Sequence, residues 1–350
     1  MMVKTLLGGT LAAAMAIGAV AGASAEDKRF RLKMHSAFTS TTDILGPAGV
    51  RIAENLTTFS GGTLNVKFFE PNALVPAIQY LDPVASGALK MAYGTPGYHV
   101  GQEPALAFYT AVPFGPGFSE YAAWVFYGGG HDLYDEILAK YNIKGRLCNA
   151  IPPEASGWFR EPVEKVEDLR GIKMRFFGLG ARVMEKLGVS TQLLAGGDIY
   201  PALELGSIDA TEFSMPSIDE TLGFHQIAKH YYLPGWHQPT SLGEIIFNMD
   251  TWNEFSDYQK KVVDIVCDAN MMQELVDGEA RQGAAMYRME NEHGVKVHRW
   301  SDEDLDKLEK LWMEVAEEEA AKDETFAKVW NSYSDFRETH KSWGERGYLK

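Results

Sequence analysis

The sequence predicts an α/β protein of two lobes with a ligand cleft between them. Its 350 residues exceed what one compact core usually organises, and a hydrophobic content of 45% supplies apolar side chains for two cores. Short apolar strands alternate with helices that end at a glycine, a pattern typical of α/β folds. The order helix end, glycine, strand occurs at 86–93 and again at 205–212, so we expect two similarly built lobes with the ligand between them.

The N-terminus predicts an export signal. Lys4 precedes an apolar run over 6–23, and Ala23-Ser24-Ala25 supplies the small residues that a signal peptidase requires. The run is short and acidic residues follow it, so a signal peptide over 1–25 is favoured over a membrane anchor.

Hydrophobic periodicity predicts the elements of the two lobes in chain order. In the first lobe we expect strands over 29–35, 63–69 and 88–93, with helices over 44–59 and 73–86. In the second lobe we expect strands over 172–176, 190–194 and 208–212, with helices over 179–187 and 199–205. Glycines follow these helices, as expected for helix C-caps.

Two further regions do not follow this alternation. Residues 96–117 are rich in glycine, proline and aromatic side chains, and this stretch could line the cleft or pack beneath a long loop. Residues 257–293 predict a helix without proline, with an apolar stripe that includes Val262, Ile265 and Met272. At about 1.5 Å per residue this helix would approach 50 Å and run along both lobes.

The C-terminus predicts two more helices. Ser301 is a candidate N-cap for the first of them. The second places Phe326, Trp330, Tyr333 and Phe336 on one face. Such an aromatic face must be covered by its own lobe or by another subunit.

Charge and cysteine content narrow the classes of function. The formal net charge of −15 disfavours nucleic acid and anionic membranes as partners. Two cysteines, Cys148 and Cys267, are few for a secreted protein that depends on disulfides, so buried free thiols are favoured over a bridge.

Motifs of enzymatic chemistry are absent from the sequence. There is no Gly-x-Ser-x-Gly, no His-Glu-x-x-His, no Cys-x-x-Cys and no phosphate-binding loop. The spacings between His225, His230 and His237 do not place three imidazoles on one helical face, which favours structural roles over a zinc site. Glu154 and Glu212 could form an acid/base pair.

Arg175 is the residue around which we expect a ligand site. It ends a short apolar strand directly before a glycine-flanked turn, which would hold its guanidinium fixed at a strand end. This position suits recognition of one carboxylate, and it equally suits an ion pair with a neighbouring acidic side chain.

Several ordered motifs carry a resemblance to a known family. They are Gly157-Trp158-Phe159-Arg160, the segment 169–175, the segment 200–210, and Pro234-Gly235-Trp236-His237. On these motifs the whole chain after residue 25 resembles the DctP family, the solute-binding proteins of tripartite ATP-independent periplasmic (TRAP) transporters. The last motif resembles the branch that binds 2-oxo or 2-hydroxy monocarboxylates such as pyruvate and lactate.

The resemblance implies a two-lobed periplasmic binding protein, a clamshell with a long connecting helix and extra C-terminal helices. The implied ranges are lobe I over 26–147 and 214–252, lobe II over 148–213 and 253–320, and a C-terminal helical extension over 321–350. Such a protein is no enzyme, and it delivers a small organic acid in the periplasm to a TRAP membrane permease. It can form a homodimer through the C-terminal helix. The alternative from the residues alone is a secreted metal-dependent hydrolase or lyase that uses Glu154 and Glu212.

The resemblance also implies a site. Arg175 matches the arginine that pairs with the ligand carboxylate, and a Na⁺ or Ca²⁺ ion bridges ligand and protein, with Glu212 and Phe213 at a coordinating position. The chain has Glu154 where the family has an amide, Phe213 where it has tryptophan, and Gln238 where it has an acid. Glu154 and Gln238 are therefore also expected at the cation. The implied substrate-binding residues are Tyr98, Glu154, Trp158, Arg175, Glu212, Phe213 and Gln238.

Overall fold

The structure is a computed structural model in which residues 27–348 are described. The predicted signal peptide lies outside these residues. Within them, the predicted α/β class with two lobes is confirmed, because the strands form two separate sheets with helices packed around each. No helix in this part of the chain combines the length and the apolar character needed to cross a lipid bilayer.

The first sheet has five strands. They are β1 (Phe30–Ser36), β2 (Leu64–Phe69), β3 (Met91–Gly94), β4 (Ile143–Ile151) and β10 (Ser241–Asn248). Their order across the sheet is β2-β1-β3-β10-β4. β1 pairs in parallel with β2 and β3, whereas β10 is antiparallel to both of its neighbours.

The second sheet has six short strands. They are β5 (Gly157–Phe159), β6 (Lys173–Arg175), β7 (Ser190–Gln192), β8 (Ala210–Thr211), β9 (His230–Leu233) and β11 (Lys296–Arg299). Their order is β11-β9-β5-β8-β6-β7. β6 is parallel to β7 and β8, so residues that follow β6 and β8 emerge at the same edge of the sheet.

Eleven α-helices connect and flank the strands of the described chain. They are α1 (Leu45–Phe59), α2 (Leu81–Ala85), α3 (Phe118–Tyr127), α4 (Gly130–Ala139), α5 (Gly178–Lys186), α6 (Gly196–Glu204), α7 (Pro216–Leu222), α8 (Met249–Asn253), α9 (Asp257–Asn291), α10 (Asp302–Lys322) and α11 (Glu324–Gly347). Gly188 and Gly206 follow α5 and α6 with φ of 87° and 69°, the left-handed conformation that ends helices.

Two sequence predictions about the first lobe need correction. The predicted helix over 73–86 is helical only at 81–85, since Pro76 lacks the N–H that a helix interior requires. The range 214–252 was assigned to lobe I, yet β9 within it pairs with β5 and β11 in the second sheet. The remaining predicted domain boundaries stay predictions.

The long helix α9 connects the two lobes. It has 35 residues, or about 52 Å, and begins with a capping box in which Ser256 and Gln259 exchange hydrogen bonds. It packs on α1 and β4 of the first lobe and on α7 of the second. Val262 is buried on one face of the helix together with Val266, whereas Ile265 and Met272 of the predicted stripe are about half exposed because helical spacing places them on the opposite face.

Cys148 and Cys267 form a disulfide, so the prediction of free thiols was wrong. β4 and α9 pack directly on one another and bring the two Cα atoms within 4.1 Å, which is close enough for a bridge. Both residues are buried. The sequence could not show this proximity because 119 residues separate the two cysteines.

Removal of the disulfide is expected to destabilise the fold. A bridge that closes a long loop restricts the unfolded chain, and loss of such a native bridge costs about 2–4 kcal/mol. We expect a Cys148→Ala/Cys267→Ala double variant to lose this much free energy of unfolding in urea. An unchanged unfolding curve, or two titratable thiols in the unreduced denatured protein, would contradict the assignment.

The aromatic face of the C-terminal helix is covered by its own chain. Phe326 and Tyr333 of α11 are at most 1% exposed. The ring of Phe108 packs on both of them, and Trp124 meets Tyr333 edge-on. These side chains therefore need no partner subunit, which removes the reason for which the sequence placed a dimer contact there.

Candidate functional site

An enclosed cavity lies between the two lobes, where strand ends from both sheets meet. Phe38, Tyr98 and Asn149 line it from the first lobe, and Arg175 and Phe213 line it from the second. The space available to the centres of water-sized molecules is about 40 Å³. One water needs about 10–15 Å³ by this measure, so the cavity holds a ligand of few atoms.

Arg175 is the last residue of β6 and reaches this cavity while being 1% exposed. Its Nη1 donates to the backbone oxygen of Glu212 at 2.8 Å and to the Oε1 of the same residue at 2.7 Å. Its Nε donates to the carbonyl of Leu194 at 3.3 Å. The guanidinium carbon lies 5.8 Å and 5.2 Å from the ring centroids of Phe177 and Phe213. The predicted ion pair with an acidic side chain is therefore present, and recognition of a ligand carboxylate by this arginine stays a prediction.

Glu212 directly follows β8 and is 1% exposed. Its Oε1 accepts from Arg175 and from the backbone N–H of Phe177 at 2.6 Å. Burial raises the pKa of Glu212, but Arg175, His237 and the Phe177 amide outweigh burial and hold the pKa below its usual value. Glu212 is therefore an ionised carboxylate whose Oε2 has no hydrogen-bond donor among the described residues.

Glu154 lies three residues after β4 and lines the cavity at 2% exposure. Burial, followed by the negative charges of Glu212 and Asp219, raises the pKa of Glu154 well above its usual value. The Ser214 hydroxyl and the charge of Arg175 offset this only in part. Without a cation nearby, this environment favours the protonated acid.

His237 lies between the two glutamates. Its Nε2 is 3.6 Å from the Oε2 of Glu212 and 3.9 Å from the Oε2 of Glu154. It is 2% exposed, and neither of its ring nitrogens has a hydrogen-bond partner in the described structure. The sequence grouped it with His225 and His230, which instead pack on His293 and His298.

The ligand-type atoms of Glu154, Glu212 and His237 lie within 4.8 Å of one another. A cation at this point would favour the ionised form of Glu154 and give the unpartnered atoms of these side chains a common partner. Carboxylate oxygens are the ligands that hard cations prefer. The residues that are present thus fit a cation site next to the cavity.

Gln238 and Tyr98 both line the cavity, and their predicted contacts with a ligand stay predictions. Gln238 lines the cavity with its Oε1 unpartnered among the described residues, and its backbone oxygen accepts from the N–H of Glu154 at 3.3 Å. Tyr98 packs edge-on against Phe177 at 5.5 Å. Burial raises the pKa of Tyr98, so its hydroxyl stays a neutral hydrogen-bond donor.

Phe38 and Phe213 form the wall between the cavity and an outer groove. Each lines both spaces, and they come from opposite lobes. Gly196 makes room for Phe213, since a Cβ at that position would lie 2.7 Å from the ring. The two rings therefore lie between the cavity and the groove.

Trp158 does not line the cavity, in contrast to the prediction from its motif. It is fully buried in the second lobe, where its Nε1 donates to the Oδ2 of Asp219 at 2.8 Å and its ring stacks on Tyr231 at 4.1 Å. β5 carries it to the centre of the second sheet, between β8 and β9. Its role is to support the segment behind Glu212.

Sequence reasoning did not assign several residues of the site, including Phe38, Asn149, Phe177, Ser214 and His237. Phe177 and Ser214 lie two residues after Arg175 and Glu212, so the strand-end rule that identified those two could have included them. Asn149 gave no local signal, and His237 belongs to a motif that carried the resemblance but was given no role at the site, because the neighbours of both residues come from distant parts of the chain.

The fold and the site together define a two-lobed solute-binding protein that encloses a small anion. The family model for DctP, described as bacterial extracellular solute-binding protein family 7, matches residues 35–323. The chain belongs to this family. The prediction of a transport solute-binding protein rather than an enzyme is thereby confirmed.

Curated and solved relatives agree with this assignment. A monocarboxylate 2-oxoacid-binding periplasmic protein of Nostoc sp. is 34% identical over 293 residues, which cover 83% of this chain and 80% of the relative. A TRAP solute-binding protein of Bordetella bronchiseptica has a TM-score of 0.88 at 29% identity, with 90% of this chain and 94% of that chain covered. It is a mixed-occupancy dimer with calcium and picolinate in one active site.

Two further solved TRAP proteins hold pyruvate together with a metal ion. The protein of Pseudoalteromonas atlantica binds sodium and pyruvate, with a TM-score of 0.86 at 28% identity. That of Colwellia psychrerythraea binds calcium and pyruvate, with a TM-score of 0.85 at 29% identity. In both comparisons 90% of this chain and 96% of the other are covered.

Proposed function

We propose that this protein captures a small 2-oxo or 2-hydroxy monocarboxylate, such as pyruvate or lactate, and delivers it to a TRAP permease in the membrane. The observation that carries the proposal is the buried guanidinium of Arg175 in a cavity of about 40 Å³. The relative from Nostoc and the two structures with pyruvate support the same class of ligand.

Arg175 is proposed to bind the ligand carboxylate. Nε and both N–H groups of Nη1 already donate to protein oxygens, and the two N–H groups of Nη2 remain for a ligand. Phe177 and Phe213 flank the guanidinium and exclude water, which strengthens a charge-assisted hydrogen bond. Tyr98 and Gln238 supply a donor and an acceptor for the group at carbon 2.

A cation is proposed to accompany the acid. With Glu154 ionised, this residue, Glu212 and the ligand carboxylate would carry three negative charges against the one positive charge of Arg175. Such an excess cannot stay unpaired in a closed cavity. Na⁺ or Ca²⁺ held by Glu154, Glu212, Gln238 and the backbone of Phe213 would balance it, in line with the ions in the relatives.

The cellular setting belongs to the same proposal. The predicted signal peptide and the family of extracellular binding proteins support the periplasm as the location. A homodimer through α11 stays a prediction. The apolar residues that the end of this helix leaves for a partner are Trp343 and Tyr348, at 59% and 55% exposure.

A panel of carboxylates tests the proposal in one experiment. We expect pyruvate, lactate and 2-oxobutyrate to raise the melting temperature in the presence of Na⁺ or Ca²⁺, since a ligand at 100 times its Kd stabilises by about 2.7 kcal/mol. Dicarboxylates, amines and sugars serve as negative controls and should leave the melting temperature unchanged. Turnover of any stabilising acid would favour the hydrolase or lyase alternative, and stabilisation by none of the monocarboxylates would refute the proposed ligand class.

A further inference from the structure

The ring of Phe213 keeps its position because residue 196 has no side chain. Phe213 is 8% exposed and lines both the cavity and the outer groove, whereas Gly196, at the start of α6, lines the groove but not the cavity. A Cβ at Gly196 would lie 2.7 Å from Cζ of the ring and 2.9 Å from Cε2. Packed carbon atoms lie about 3.5–4.0 Å apart, so a methyl group at residue 196 would displace the ring.

We propose that Gly196 and Phe213 together determine the longest carbon chain that the cavity accepts in its acid. The inference rests on the proposed function, because it concerns the carbon chain of the monocarboxylate that Arg175 is proposed to bind. It goes further by assigning specificity to a ring in the wall of the cavity and to a glycine outside the cavity that fixes the position of this ring.

The chemistry of the cavity wall directs the carbon chain at this ring. The guanidinium carbon of Arg175 lies 5.2 Å from the centroid of the Phe213 ring. Glu154 and Gln238 border the cavity with oxygen atoms that lack a hydrogen-bond partner in the described chain, and an apolar chain against them would leave these atoms buried and unpaired. The cavity has room for about three water molecules, so an acid longer than pyruvate brings its next carbon against Phe213. One methylene more or less in an apolar pocket changes affinity by about 10–200-fold.

Phe38, the other ring between the cavity and the groove, is held more firmly than Phe213. Its ring packs on Tyr93 at 5.7 Å and on Tyr98 at 6.1 Å. Among the described residues, Phe213 has one aromatic ring as a neighbour, that of Phe224 at 6.5 Å. A ring with fewer aromatic contacts loses less when it moves, so Phe213 is the side of the wall that responds to a change at its back.

A methyl group at residue 196 would narrow the cavity. Gly196 lies on the groove side of the Phe213 ring, so the ring moves away from the groove and toward the ligand. A narrower cavity penalises longer acids more than pyruvate. A shift of the backbone has a different signature. The carbonyl of Leu194 accepts from Nε of Arg175 at 3.3 Å, and movement of this segment would weaken every acid alike.

Calorimetry with a series of acids of increasing length tests the inference. The full chain after removal of the predicted signal peptide is titrated at saturating Ca²⁺ with pyruvate, 2-oxobutyrate, 2-oxopentanoate and 2-oxohexanoate. We expect Gly196→Ala to lower the affinity for 2-oxobutyrate relative to pyruvate by about tenfold or more. Phe213→Ala should raise the affinity for 2-oxohexanoate relative to pyruvate by about tenfold or more, because removal of the ring joins the cavity to the groove.

Gly197→Ala is the matched control. Gly197 is the next residue of α6 and lines the same groove, and a Cβ there would have no neighbour within 4 Å. Its affinities for the four acids should equal those of the wild type.

Three results would overturn the inference: equal wild-type affinities along the series, an equal loss for every acid in Gly196→Ala, or unchanged affinity ratios in a folded Phe213→Ala variant. If Gly196→Ala does not fold, Phe213→Ala and the wild-type series decide the outcome. Absence of wild-type binding for all four acids would instead refute the proposed function.

Discussion

Replacement of Arg175 by lysine should lower the affinity for pyruvate by about tenfold to a hundredfold. Arg175 has the two N–H groups of Nη2 for the ligand while its Nε and Nη1 donate to protein oxygens, and a lysine ammonium group with three N–H groups cannot make all of these hydrogen bonds. A lost hydrogen bond to a charged group is worth about 1.5–3 kcal/mol, and 1.4 kcal/mol is a factor of ten in Kd. Titration calorimetry at saturating Ca²⁺ measures the change directly.

The fold should survive this substitution. Lysine keeps a positive charge beside the buried carboxylate of Glu212, so no uncompensated ion is left in the core. Arg182→Lys is the matched control, because Arg182 pairs with Glu185 at 3.1 Å on the surface of α5, at 54% exposure. Its pyruvate affinity should equal that of the wild type. Undiminished binding by a folded Arg175→Lys variant would refute the assigned role.

The sequence could predict that Arg175 and Glu212 lie close together because strand ends have a local signature. Arg175 ends one short strand and Glu212 follows another, and parallel pairing of β6 with β8 brings them to one edge of the sheet. The closeness of Arg175 and Glu212 then follows from the parallel pairing of the two strands. The bond from Arg175 Nη1 to Glu212 could therefore be expected as one of two alternatives.

The sequence could not place residues whose neighbours come from distant segments. His237 is directed at Glu154 and Glu212 by the packing of 234–238 against 154–155, in which the N–H of Gly235 donates to the carbonyl of Glu154 at 2.9 Å. A Cβ at Gly235 would lie 2.4 Å from that carbonyl oxygen. No local pattern encodes such an approach.

The buried residues of α9 are a second case in which contacts with distant segments decide the outcome. The sequence selected an apolar stripe, yet the buried residues of this helix include Asn270 and Glu274. Asn270 is buried because its amide donates to the carbonyl of Cys148 at 2.8 Å and accepts from Arg51 at 2.9 Å. Polar residues can be buried where partners exist, and those partners come from β4 and α1.

Removal of all metal ions should have the largest effect on ligand binding. Without a cation, Glu154 would stay protonated, and a bound monocarboxylate would add a second negative charge beside ionised Glu212, whose charge already pairs with the single positive charge of Arg175. We expect the affinity for pyruvate to fall at least a hundredfold, or about 2.7 kcal/mol. Glu212→Gln should abolish most of the ion dependence, since it removes the ionised ligand of the proposed site.

The most direct measurement is therefore calorimetry of pyruvate with the wild-type protein after exhaustive EDTA treatment, in a sodium-free buffer, and then with Na⁺ and Ca²⁺ restored in turn. The proposed function predicts no measurable binding in the absence of metal ions and full binding once a cation is returned. Full affinity without any metal ion would contradict the cation bridge, and absence of binding under every condition would contradict capture of a monocarboxylate in this cavity.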